Sequence, residues 1–103
     1  MWAQLITARL KPGTDHEFPK LFDQLKAIEQ PDSGLLRSTA FRDQKDPSRL
    51  HMLVIFESEE KARAREQDER RQEGLVAARA TMAEVFEGAP EFVDLTVVSD
   101  FVP

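Results

Sequence analysis

The chain has 103 residues, which fits one domain with a modest core, and its 41% hydrophobic and 32% charged content is that of a folded protein. A net charge of −5 disfavours a nucleic-acid partner, since an acidic surface repels phosphate. There is no cysteine, so disulfides, thiolate catalysis and cysteine metal sites are excluded.

The first element expected is a strand over Trp2 to Leu10. Trp2, Gln4, Ile6, Ala8 and Leu10 share one face and Ala3, Leu5, Thr7 and Arg9 the other, so both faces carry apolar residues. Lys11-Pro12-Gly13 stops it. A helix follows, with Phe18, Leu21, Phe22, Leu25 and Ile28 as its apolar stripe. Thr14 and Glu17 have capping-box spacing, Asp15 is an alternative cap, and Pro19 falls early enough to be tolerated. Gln30 to Gly34 ends the element.

Leu35 to Arg42 reads as the second strand and Leu50 to Phe56 as the third, joined across Asp46-Pro47 as a hairpin. The third is a nearly continuous apolar run, as expected of a strand buried on both faces. Ser58 is a good helix cap. The segment Glu59 to Gln72 is polar, with Glu57 and Lys61, Glu59 and Arg63, and Glu66 and Arg70 spaced for ion pairs. Gly74 is the expected break. Leu75, Ala78, Met82, Val85 and Phe86 then form a second stripe, closed by Gly88 and Pro90. Phe92 to Val98 is the fourth strand, followed by a tail bearing Phe101 and Val102.

The order is β-α-β-β-α-β, an α+β ferredoxin-like pattern with an antiparallel sheet and helices on one face. The other sheet face has apolar side chains and no helix to cover them. Pairing two copies face to face would bury it, so a homodimer is expected. No apolar run reaches the ~18 residues of a membrane span. The N-terminal stretch has no basic segment leading an apolar one, and the expected location is cytoplasmic.

Lys11-Pro12-Gly13, then Pro31-Asp32-Ser33-Gly34-Leu35-Leu36-Arg37-Ser38, then Asp46-Pro47 before a strand ending Phe56-Glu57-Ser58-Glu59-Glu60-Lys61-Ala62, resemble the antibiotic biosynthesis monooxygenase group of dimeric α/β-barrel proteins. The resemblance runs over nearly the whole chain, with Phe56 where the family usually has Trp, and implies one such domain over residues 1–103. It implies a monooxygenase using neither metal nor organic cofactor, acting on an aromatic polyketide or a quinol-like molecule. It also places a pocket between helices and sheet, lined by Phe22, Met52, Val54, Met82 and Phe86. A module that binds a hydrophobic ligand without turnover, or a structural or stress-related dimer, is the alternative.

The resemblance stops short of a catalytic set. The haem-degrading branch uses an Asn on the first strand, where Ile6 stands, and a Trp and a His in the helical region. Glu59 to Glu87 contains neither, and the chain has no Asn or Tyr, which the polyketide oxygenases use. His51, at the start of the third strand, is either a general base or a strand-end histidine at the surface or dimer seam. Arg79 either binds an anionic substrate or snorkels to solvent. Trp2 either shields a pocket or packs in the core, and Asp94 is either a proton acceptor or a solvated or ion-paired strand residue. His16 reads as a surface residue. The two histidines lie on different elements without ligand-spaced partners, so no metal site is expected.

Overall fold

The computed structural model describes residues 1–103. Its elements are β1 (Trp2–Arg9), α1 (Phe18–Ala27), β2 (Leu35–Arg42), β3 (Arg49–Phe56), α2 (Glu59–Glu66), α3 (Glu69–Val85) and β4 (Glu91–Thr96). The strands form one antiparallel sheet in the order β2-β3-β1-β4. This is the ferredoxin-like α+β arrangement, with the second helical region in two pieces.

Register assigns the faces. Ala40, Met52, Ile6 and Phe92 stand in one cross-strand row, and Ser38, Val54, Gln4 and Asp94 in the next; these rows face the helices. The alternate rows, Thr39-Leu53-Leu5-Val93 and Arg37-Ile55-Ala3-Leu95, face away from them. Strand four ends earlier than Val98 for a reason the ladder supplies. Thr96 pairs with Trp2, the first residue of β1, and beyond it there is no strand to bond.

The helix starts are set by local chemistry. Ser58 accepts a hydrogen bond from the Lys61 backbone N–H at 3.2 Å and so caps α2. Before α1 the expected capping box does not form. Thr14 Oγ1 donates back to the Lys11 carbonyl at 2.7 Å, a 3-10 turn occupies Asp15–Glu17, and Pro19 lies in the first turn of α1. Asp15 instead accepts two hydrogen bonds from Arg42, at 2.6 and 3.0 Å.

The break in the second helical region falls at Gln67 and Asp68, not at Gly74. Asp68 caps α3, accepting from the Arg70 N–H at 2.9 Å, and the Arg70 guanidinium closes on the same carboxylate. That hydrogen bond from Arg70 holds the Asp68 carboxyl down at about 2. Arg70 also reaches Asp32, so the expected Glu66–Arg70 pair is absent, while Glu57–Lys61 and Glu59–Arg63 form. Gly74 sits inside α3 because a Cβ there would lie 2.0 Å from Cγ2 of Ile28. Its bare backbone lets the end of α1 press against α3.

The core lies between α1, α3 and the sheet. Leu21 and Val85 are fully enclosed, with Ala8, Leu10, Leu50, Ala78 and Phe86 around them. Burying a side chain of that size stabilises by roughly 1.5–3 kcal/mol. A smaller cluster holds Trp2, Phe56 and Ala62. No helix is long and apolar enough to cross a membrane.

Candidate functional site

The core does not fill the space between helices and sheet. A cavity of about 450 Å3 opens there, and thirteen of its nineteen lining residues are hydrophobic, so its body is apolar. Ile6 and Ala8 of β1 and Leu50, Met52 and Val54 of β3 form the floor. Leu21, Phe22 and Leu25 of α1 and Met82 of α3 form the roof, with Phe86 just beyond it and Phe92 of β4 nearby. On the β2 side the edge strand offers Leu35, Ser38 and Ala40, and the wall is low at Ser38 and Ala40, which are short and exposed. Phe22, Met52, Val54, Met82 and Phe86 therefore all border one cavity.

The cavity also has a charged end, made by Lys26, Glu29, Arg65 and Arg71. Glu29, just past α1, accepts three hydrogen bonds from Arg65, from Nε at 3.1 and 3.3 Å and from Nη2 at 2.6 Å. Ser33 Oγ donates to the same carboxylate. Burial alone would raise the Glu29 carboxyl; the hydrogen bonds from Arg65 and Ser33 outweigh it and hold the group below its usual range. The Arg65 guanidinium also lies 5.4 Å from the centre of the Phe56 ring.

Arg71 is the buried member, only 4% exposed. Its Nη1 donates at 3.0 Å to the Arg65 backbone carbonyl at the end of α2, which also accepts from the Asp68 N–H. Its Nε–H is buried without an acceptor. Burial, and then the neighbouring Arg65 charge, push the guanidinium below its ordinary value.

The residues weighed for chemistry elsewhere lie apart from the cavity. His51 points to the uncovered sheet face, Nδ1 3.1 Å from Thr7 Oγ1 and Nε2 3.5 Å from Asp43 Oδ2. Arg79 is exposed on α3 and does not border the cavity. His16 is at the surface beside Glu17. Trp2 packs in the small cluster, 6.0 Å from Phe56 between ring centres, with the Arg63 guanidinium 5.1 Å from its own ring. Asp94 accepts from Gln4 at 3.0 Å and from Arg63 at 2.9 Å, an ion pair within the chain. No three His, Asp or Glu side chains converge as metal ligands would.

Sequence reasoning passed over Arg71, Arg65 and Glu29. For Arg71 a signal existed: it stands one turn before Leu75, on the stripe that continues through Ala78 and Val85. An arginine on a buried stripe is a residue whose charge must be answered by something. Glu29 and Arg65 carry no such mark, being two among many surface-type charges in their segments.

Residues 1–77 match the model of the antibiotic biosynthesis monooxygenase family. The chain belongs to that family. Its fold is shared with solved structures over nearly the whole chain. A candidate antibiotic biosynthesis monooxygenase from Caulobacter crescentus is 21% identical and superposes with a TM-score of 0.76, covering 95% of this chain and 90% of that one. A second, from Nitrosomonas europaea, is 17% identical with a TM-score of 0.73, covering 96% and 100%. A mutant of MhuD with two manganese protoporphyrin IX molecules bound per active site is 20% identical with a TM-score of 0.73, covering all of both chains. No curated protein matches. The family match ends inside α3, whereas these superpositions extend well past it.

Proposed function

We propose that this family member is a small monooxygenase that takes an aromatic polyketide or a quinol-like molecule into the cavity and oxygenates it without metal or organic cofactor. The observation that carries the reading is the cavity itself, about 450 Å3, apolar in its body and charged at one end. Volumes of roughly 300–1,000 Å3 are those of small-molecule sites. In the proposed reaction the substrate is the reductant. For an anthrone-type substrate, its activated CH2 loses a proton, the resulting anion passes electrons to O2, a carbon–oxygen bond forms, and CH2 and O2 become C=O and H2O. The chain's part is to exclude water through Ile6, Leu50, Met52 and Met82, to hold the ring flat against Phe22, and to stabilise the anion from the charged end.

Oxygen consumption with a panel of anthrones, anthrols and quinols tests this. The native chain is expected to consume oxygen stoichiometrically with quinone formed, and Ala40→Trp, which fills the low wall, to abolish it. His51→Ala and Arg79→Ala are expected to keep the native rate, since neither side chain borders the cavity. Absence of turnover on every substrate would sink the reading.

One observation favours a second reading, binding without turnover: the lining has no histidine and, like the whole chain, no tyrosine, so no group with an ordinary pKa near neutrality stands ready to take the proton. Haem chemistry does not fit the same lining, which offers iron no histidine, cysteine or tyrosine. A haem titration is expected to give no ligated Soret band.

The reading includes a homodimer of two domains, each spanning residues 1–103. What supports it is the uncovered sheet face. Leu5, Leu53 and Ile55 are half-buried there, while Phe41, Val93 and Leu95 are exposed, and Val98, Phe101 and Val102 of the tail lie in solvent nearby in sequence. A second copy's identical face is the self-complementary cover that two-fold pairing supplies.

A further inference from the structure

We propose that Arg71 makes the charged end of the cavity a carboxylate subsite, so that the ligand is an aromatic acid with its carboxylate seated on the guanidinium. This rests on the reading that the cavity holds a small molecule. A guanidinium presents its donors in a planar fork, and the Nε side of that fork suits the two oxygens of one carboxylate. Here Nη1 is spent on the Arg65 carbonyl, which fixes the plane of the group, while Nε–H is buried with nothing to accept it. A buried guanidinium whose neighbouring carboxylates, Glu29 and Asp68, are bonded to other arginines is costly, and a ligand carboxylate would lower that cost.

Neither neighbouring carboxylate of the chain serves, for Asp68 is closed by the Arg70 guanidinium. Glu29 is held by Arg65 and Ser33, with both oxygens engaged. At the cavity's charged end, three cations (Lys26, Arg65, Arg71) stand against one carboxylate (Glu29), an excess of positive charge in a chain whose net charge is −5. The local field therefore selects an anion, and the fork selects a planar two-oxygen one. Arg65 acts as a positioning residue, because its backbone carbonyl anchors Arg71 and its side chain keeps Glu29 occupied.

Calorimetric titration with 2-naphthoate and its neutral analogue 2-naphthamide tests the assignment. The native chain is expected to bind naphthoate roughly 10- to 100-fold more tightly than naphthamide. Arg71→Gln is expected to erase that preference while leaving naphthamide affinity in place, and Arg71→Lys to keep part of it, since charge survives but the fork is lost. Equal affinity of the native chain for both probes, or a preference that survives Arg71→Gln, overturns the subsite. Naphthamide binding without preference leaves the ligand-cavity reading standing; binding of neither probe brings down that reading and the subsite with it. Should Arg71→Gln fail to fold for want of its bond to the Arg65 carbonyl, the native ratio and Arg71→Lys decide.

Discussion

On the face turned to the helices, Ile6, Leu50 and Met52 stand beside Ala8, Ser38 and Ala40, and the short side chains leave room under α1. On the opposite face, Leu5, Leu53, Ile55, Val93 and Leu95 make an apolar surface with no element of the chain upon it. Both faces are apolar, yet one encloses a space and the other presents a wall. Composition alone does not separate these roles; the difference is the size of the side chains and what lies above them. A face that is covered but not filled can hold a ligand, whereas a face that is filled but not covered asks for a partner.

That contrast can be broken most severely on the uncovered side. Leu53→Asp places an unpaired carboxylate at the centre of the proposed seam, and two-fold symmetry places two. A penalty of roughly 3–5 kcal/mol per buried charge is expected, enough to turn a dimer into monomers in sedimentation at micromolar concentration. A native chain that already sediments as a monomer would remove the seam from consideration. Within the covered side, Leu21→Ala in the filled part is expected to cost about 2–5 kcal/mol in urea denaturation. Met52→Ala, bordering the cavity, is expected to cost under about 1.5 kcal/mol, because its side chain already faces open space. Similar losses at the two positions would mean that the cavity is closed in solution.

Gly74→Ala tests how tightly the roof is fixed. The Cβ would meet Ile28 at 2.0 Å, so a net loss of about 1–3 kcal/mol is expected in spite of alanine's better helix propensity. A gain in stability would show that α1 and α3 slide apart freely. The smallest effect is expected at the charged end. The Glu29 carboxyl is held below its ordinary value of 4.5. Its contribution to stability is therefore complete above that value and lost as pH falls through the lower folded one. Glu29→Gln should lack this acid-range component, and stability measured from about pH 6 downward should fall less steeply than in the native chain. Parallel curves would show that Arg65 does not hold the carboxylate in solution.

Much of the fold was legible because strands and helices announce their faces locally. The two-residue period of Trp2 to Arg9 separated Ile6 and Ala8 from Leu5 and Thr7, and the ladder kept that division. The stripe Leu75, Ala78, Val85 and Phe86 was legible for the same reason, and all four are buried. The helix break was misplaced because Gly74 carries two meanings, a weak point in a helix and a site of close approach, and only Ile28 across the gap distinguishes them. Asp68 was the better clue, since a side chain that caps its own backbone acts at short range.

By itself, the sequence determined the order of the elements, the two apolar faces of the sheet and the family to which they belong, all of them properties carried by residues near one another along the chain. Tertiary structure alone decided that a space remains beneath α1, that Arg65 of α2 clasps Glu29 past α1, and that Arg71 lies buried with a free donor. The reason is physical. Periodicity fixes the direction in which a side chain points, but enclosure, and the answer to a buried charge, depend on residues brought together from distant parts of the chain.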